Sequence, residues 1–231
     1  YKELMENAKK IGTALSSKNI MNEPVAIFID KSISCLEAML GVLYSGNFYT
    51  VLDTKSPSER INTILETLMP KVIITTAKNV DKLEKLEFDG KVYTYEKMTE
   101  FKINEEKLTS IRNKTIDTDP AYVLFTSGST GVPKGTVVSH RAVLSYTEWV
   151  KEQFDITEKT KFGSQTPFYF SMSVTDVFST IRTGATLYII PKMYFSFPTK
   201  LLEFLKEKEI NTIYWVPSAL CIVANLGALE N

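Results

Sequence analysis

The stretch LFTSGSTGVPKG, residues 124–135, follows an apolar run and places four hydroxyl side chains, three glycines and one lysine in twelve positions. Glycines let backbone N–H groups approach an anion with no Cβ in the way. Serine and threonine hydroxyls donate to phosphate oxygens, and a lysine adds a point charge. Thr126, Ser127, Ser129, Thr130 and Lys134 supply those polar groups, and Gly128, Gly131 and Gly135 supply the room. The pattern suits a polyphosphate cradle, provided the loop sits at the C-terminal end of a parallel strand, where open α/β sheets receive ligands. It is not a Walker A loop, because Pro133 stands five positions after Gly128 and Lys134 is followed by Gly135. The glycine spacing also departs from the dinucleotide fingerprint. By composition alone, a surface loop rich in turn formers reads the same way.

The elements that must position this loop are legible in the hydrophobic pattern. Leu4, Ala8, Ile11 and Leu15 share one helical face, so residues 2–16 form an amphipathic helix. PVAIFI (24–29) is a short apolar run suited to a parallel strand covered on both sides. A helix over 34–44, the strand NFYTVLD, a helix over 57–68 and the strand KVIITT continue the alternation. Residues 102–119 are polar without clear periodicity and read as a linker. After it come AYVLFTS, GTVVS, a helix capped by Ser139 with Ala142, Val143, Tyr146, Trp149 and Val150 on one face, and a helix over 174–183 closed by Gly184. The strand ATLYIIP, a helix over 199–209, the strand INTIYWVP and a helix over 218–226 complete the chain. Alternation of this kind predicts an α/β fold of two mainly parallel sheets flanked by helices, with subdomains at 1–114 and 115–231.

Twenty-seven basic residues balance twenty-seven acidic ones, which argues against nucleic acid or an anionic membrane as partner. Cys35 and Cys221 stand far apart and form no metal-type cluster; both read as buried and reduced, pointing to the cytoplasm. The start is charged and amphipathic rather than a signal peptide, and no apolar run reaches the roughly 18 residues of a spanning helix. The chain opens on Tyr1 and stops at GALEN, as a piece of a longer protein would, or a tag-cleaved chain.

The string TSGSTGVPKG resembles the phosphate-binding signature of the adenylate-forming superfamily: acyl-CoA synthetases, luciferase-like enzymes and the adenylation domains of nonribosomal peptide synthetases. Further stretches carry the same resemblance in the same order. YKELMENAKKIG is similar to the family's opening helix, and LYSGNFYTVLDTKSPSERI (43–61) to its "lkaGaayvPlDpsyPxeRi" pattern. TPFYFSMSVTDVFSTIRTGATLYI is similar to "FDxSvxdiF…L..Gatl.i", and INTIYWVPSAL to the strand that follows. The chain resembles above all the amino-acid adenylation domains, including D-alanine:carrier-protein ligases.

The resemblance implies ATP-dependent activation of a small carboxylic acid with release of pyrophosphate, assisted by Mg²⁺. The acyl group then passes to a phosphopantetheine thiol on a carrier protein, or to coenzyme A. It implies that Thr126, Ser127, Ser129, Thr130 and Lys134 hold the phosphates, with Lys134 as the catalytic cation, while Gly128, Gly131 and Gly135 let the loop close. Phe170, Ser171, Met172, Thr175 and Tyr214 would line the acyl pocket, although aromatic and methionine side chains at such positions also serve as plain core. In the amino-acid branch an aspartate of "FDxS" pairs with the substrate ammonium; here Ser171 stands in its place. A buried ammonium without a carboxylate is costly, so an aryl, hydroxy or other acid fits better. Compensation by Asp176, or a decayed site, is the competing reading.

His140, the one histidine, has no recognisable nucleophile partner and reads as structural, as do Asp53 and Trp215. No residues have metal-ligand spacing. The family's "YGPTE" and "TGD" segments and its C-terminal lysine are absent up to Asn231. This length is therefore expected to have little activity alone. A nucleotide-binding scaffold or a docking module for a carrier protein stands as the alternative.

Overall fold

The computed structural model describes residues 1–17, 20–127 and 132–225, with Ser127 described in its backbone only. The chain divides into two compact units, Tyr1–Ala142 and Val143–Asn231. The first alternates helix and strand: α1 (Lys2–Ser16), β1 (Pro24–Phe28), α2 (Ile33–Tyr44), β2 (Phe48–Val51), α3 (Ser58–Leu68) and β3 (Val72–Thr75). A 3-10 turn at Ala77–Asn79 leads into α4 (Val80–Leu83), β4 (Lys91–Thr94), α5 (Tyr95–Met98), α6 (Glu105–Arg112), β5 (Pro120–Ser127) and β6 (Pro133–Ser139). These six strands form one sheet in the order β4-β3-β1-β2-β5-β6. The first five run parallel, and β6 is antiparallel at the edge.

Both faces of the sheet are covered, which explains why β1 and β3 are apolar at nearly every position. On one face Ala26, Phe28, Leu52 and Ile73 pack against Ile61, Ile64 and Leu65 of α3. Helices α1 and α2 pack closely on each other where Gly41 of α2 meets Ala8 and Ile11 and where Gly12 of α1 meets Tyr44. Ser32 caps α2 by accepting from the Cys35 N–H at 3.2 Å.

Three expectations are corrected here. The break at residue 114 does not separate the sheets: β5 joins the first, with Tyr122 in register with Tyr49 of β2 and Thr50 Oγ1 donating to the Val123 carbonyl at 2.7 Å. The supposed linker contains α6, capped by Asn104 Oδ1, which accepts from the Lys107 N–H at 2.9 Å. Leu108 and Ile111 of α6 are buried, and Lys9 of α1 pairs with Glu105 at 2.7 Å. The segment after it is tied down as well, with Arg141 gripping the Asp117 carboxylate through two bonds of 2.8 Å. Finally, Cys35 is buried as expected, but Cys221 is exposed.

Helix α7 (His140–Gln153) begins in the first unit and continues into the second. Ser139 Oγ accepts from the Ala142 N–H at 3.3 Å, which is the capping role its position suggested. The second unit continues with β7 (Lys161–Ser164), α8 (Ser173–Thr183) and β8 (Thr186–Ile189). After a 3-10 turn at Lys192–Ser196 come α9 (Pro198–Glu207) and α10 (Pro217–Asn225). Strands β7 and β8 pair in parallel. Gly184 closes α8 at φ 75°, a left-handed conformation that favours glycine.

The expected strand INTIYWVP contributes a single parallel bridge, Phe162 to Thr212. Side chains take over the neighbouring rungs of that ladder. The Lys161 N–H donates to Asn211 Oδ1 at 2.9 Å, and Trp215 Nε1 donates to the Gly163 carbonyl at 2.7 Å. Trp215 is buried, as its reading as core required. Among the described residues no helix is long and apolar enough to cross a membrane.

Candidate functional site

Strands β5 and β6 pair antiparallel from Pro120 opposite Ser139 up to Ser127 opposite Pro133. Gly128, Ser129, Thr130 and Gly131 lie outside the described residues, and so does the Ser127 side chain. The base of the hairpin is well defined. Thr126 stands directly opposite Lys134, and Phe125 opposite Gly135. Residues directly opposite in an antiparallel pair share a face. Thr126 and Lys134, both exposed, therefore present a hydroxyl and an ammonium together.

Gly135 has a packing explanation. A Cβ added there would lie 2.9 Å from Val123 Cγ1 and 3.0 Å from Phe125 Cζ. The Phe125 ring in turn packs against the core beneath α3. The bare position lets that ring lie across β6.

This donor set can be tested against a triphosphate. Lys134 is exposed, and among the described residues no carboxylate pairs with it. An exposed ammonium beside a hydroxyl suits a polyanion. Mg²⁺ bound together with phosphates needs one or two protein carboxylates. Among the described residues no three acidic, histidine or cysteine side chains converge.

His140 sits at the start of α7, where its N–H donates to the Asp119 carbonyl at 3.0 Å. Burial pushes its imidazole below the usual histidine range, against the opposing pull of Asp119. A half-buried ring held in this way favours the neutral form, and its place in the hairpin-to-helix turn is structural.

The residues expected in the acyl pocket all belong to the second unit. Residues 167–173 make a succession of turns leading into α8, with the Phe170 N–H donating to Pro167 and the Ser173 N–H to Phe170. Ser173 Oγ also donates to the Phe170 carbonyl at 2.7 Å, which fixes the bend. The turn leaves Phe170 and Ser171 exposed and Met172 half-buried. Thr175 and Asp176 are buried on α8, and Asp176 has no exposed surface at all. Its carboxylate is directed into the unit, whereas Ser171 lies at the surface.

One neighbour escaped the sequence reading. The Tyr146 hydroxyl of α7 lies 2.7 Å from Thr175 Oγ1. Burial raises the Tyr146 phenol above its ordinary value. The sequence placed Tyr146 only on a helical face; no spacing links positions 146 and 175, which meet through tertiary packing alone.

A mainly parallel sheet of βαβ units with one antiparallel edge strand defines an α/β protein. The chain belongs to the AMP-binding enzyme family, whose model matches residues 1–231. It is 32% identical over 219 residues to gramicidin S synthase 1 of Brevibacillus brevis, covering 94% of this chain and 20% of that protein. It is 29% identical over 218 residues to a D-alanine--D-alanyl carrier protein ligase of Staphylococcus aureus, covering 94% of this chain and 43% of the ligase. The nonribosomal peptide synthetase FmoA3, solved in an α-methyl-L-serine-AMP bound form, matches with a TM-score of 0.87 and 26% identity over 100% of this chain and 25% of that one. The chain thus spans less than half the length of each of these relatives.

Proposed function

We propose that this chain contributes the phosphate-gripping loop and one wall of the acyl pocket to an enzyme that adenylates a small carboxylic acid in the cytoplasm. A carboxylate oxygen bonds to the α-phosphorus of ATP while the bond to the bridging oxygen breaks, releasing pyrophosphate. A phosphopantetheine thiol on a carrier protein then takes the acyl group and AMP leaves. ATP supplies the electrophilic phosphorus and the leaving group. The chain's task is to hold and neutralise that leaving group, because two anions must approach each other and charge positioning governs the barrier.

The observation that carries this reading is the hairpin stem, which offers Lys134 and Thr126 on one exposed face below the bend. The carrier-protein acceptor is supported by the relatives, one a peptide synthase and one a ligase acting on D-alanyl carrier protein. An adenylate is bound in the FmoA3 structure. Exposed Ser171 and fully buried Asp176 support an acid without the usual α-ammonium, since no carboxylate of the 170–176 segment reaches the surface that Ser171 presents.

The test is ATP–pyrophosphate exchange by the native full-length protein over a panel of amino, aryl and aliphatic acids. Lys134→Ala and Ser129→Ala should each lower exchange, by roughly ten- to a hundredfold for one lost charge-assisted bond, with circular dichroism unchanged. Exchange at the wild-type rate in both variants refutes the phosphate role. Preference for an ordinary L-amino acid refutes the substrate assignment alone.

A further inference from the structure

An open groove of about 1110 Å³ lies across the N-terminal ends of β3 and β4, toward the sheet edge opposite β6. We infer that this groove docks a segment of a partner protein in which lysine or arginine accompanies apolar side chains. The inference goes beyond the adenylation reading and does not depend on it.

The two walls set the charge. Glu59, Asn62, Thr63 and Glu66 recur along α3 at helical spacing and line one side. Ile61 and Ile64 of the same helix are buried in the core. Glu87 and Asp89 line the other side, in the loop that leads into β4. Two lysines, Lys71 and Lys91, face these four carboxylates, and Lys71 is already held by Glu23 at 2.7 Å. The excess of negative charge selects a cationic occupant and repels an acidic one. The volume lies above the roughly 300–1,000 Å³ of small-molecule sites, which favours a stretch of polypeptide over a free amine.

The groove is preformed. The Glu87 N–H donates to Asn62 Oδ1 at 3.0 Å, tying the loop to α3. The Lys91 N–H donates to the Lys71 carbonyl at 3.0 Å, and the Phe88 ring packs on the core beneath α3. Position 90 has no room for a side chain: a Cβ would lie 2.7 Å from the Lys71 carbonyl oxygen and collide with the Phe88 ring. Walls fixed in this way lose little freedom when the groove is filled.

Met69 supplies the apolar anchor. It ends α3 at φ 49° and ψ 49°, a left-handed conformation in which glycine is favoured. The residue lines the groove and is 75% exposed. Strained backbone clusters at ligand clamps and switch regions, and the flexible methionine thioether adapts to apolar partners.

The test measures fluorescence anisotropy of a labelled octapeptide of alternating lysine and leucine with the native full-length protein. It should bind, and more weakly as salt rises, because the carboxylates are exposed. A glutamate–leucine peptide should not bind, and a lysine–serine peptide of the same charge should bind less well. Glu66→Lys combined with Asp89→Lys puts positive charge on both walls and should weaken binding roughly tenfold or more, with circular dichroism unchanged. Met69→Gly suits the left-handed backbone, so the fold is kept, and it should weaken binding roughly three- to tenfold. Equal binding by the lysine–serine peptide would reduce the groove to bare charge and overturn the proposal. So would binding of the glutamate–leucine peptide, unchanged affinity in either variant, or no binding of the lysine–leucine peptide to the wild-type protein.

Discussion

Replacing Gly135 by alanine would put a methyl group where the hairpin has no space for one. Its Cβ would sit 2.9 Å from Val123 Cγ1 and 3.0 Å from Phe125 Cζ, against the ~3.5–4.0 Å at which carbon pairs rest. Val123 is buried and β-branched, so it has little rotamer freedom with which to retreat. Overpacking of this kind costs about 1–3 kcal/mol. Gly135 does not have a positive φ, so alanine fits the backbone and recovers about 0.4–1 kcal/mol by restricting the unfolded chain. The net loss is about 1–2 kcal/mol, confined to the stem of the candidate phosphate loop. Hydrogen exchange on peptides from β5 and β6 of the native protein reads it directly, as roughly five- to thirtyfold faster exchange. In a background carrying both Val123→Ala and Phe125→Leu the crowding atoms are gone, and adding Gly135→Ala should accelerate exchange far less. Unchanged exchange in the single variant, or the same acceleration in both backgrounds, would show that crowding is not why this position is bare.

Two further outcomes follow from the folded core and from titration. Leu108→Ala removes the buried anchor of α6 and should cost about 2–5 kcal/mol, seen as lost exchange protection in α6 and in the α1 face beneath it; unaltered protection there would contradict the packing described. For His140, the folded state binds its proton less readily than the unfolded chain, because burial lowers its pKa. Stability therefore falls as pH drops below the unfolded histidine value of about 6.5. His140→Gln should flatten that acid limb in pH-dependent thermal unfolding, and an identical limb in both proteins would refute the assignment.

Local pattern alone determined the βαβ alternation, the apolar strands β1 and β3, the Ser139 cap and the Gly184 helix end. Each depends on periodicities or backbone preferences that a few consecutive residues carry. Helix α6 was overlooked because only Leu108 and Ile111 of its eight residues are buried, too few to show a period, although Asn104 ahead of two glutamates was a legible cap. The strand expected at 210–217 shrank to one bridge because the Asn211 and Trp215 side chains occupy the rungs a ladder would need. Membership of β5 in the first sheet depended on pairing with a strand some seventy residues earlier, and no local propensity records such a choice. The same holds for Tyr146 and Thr175, which lie 29 positions apart in sequence and 2.7 Å apart in space. Residue types state which chemistry is available; only the packing of helices on sheets brings the groups that share it within hydrogen-bonding distance.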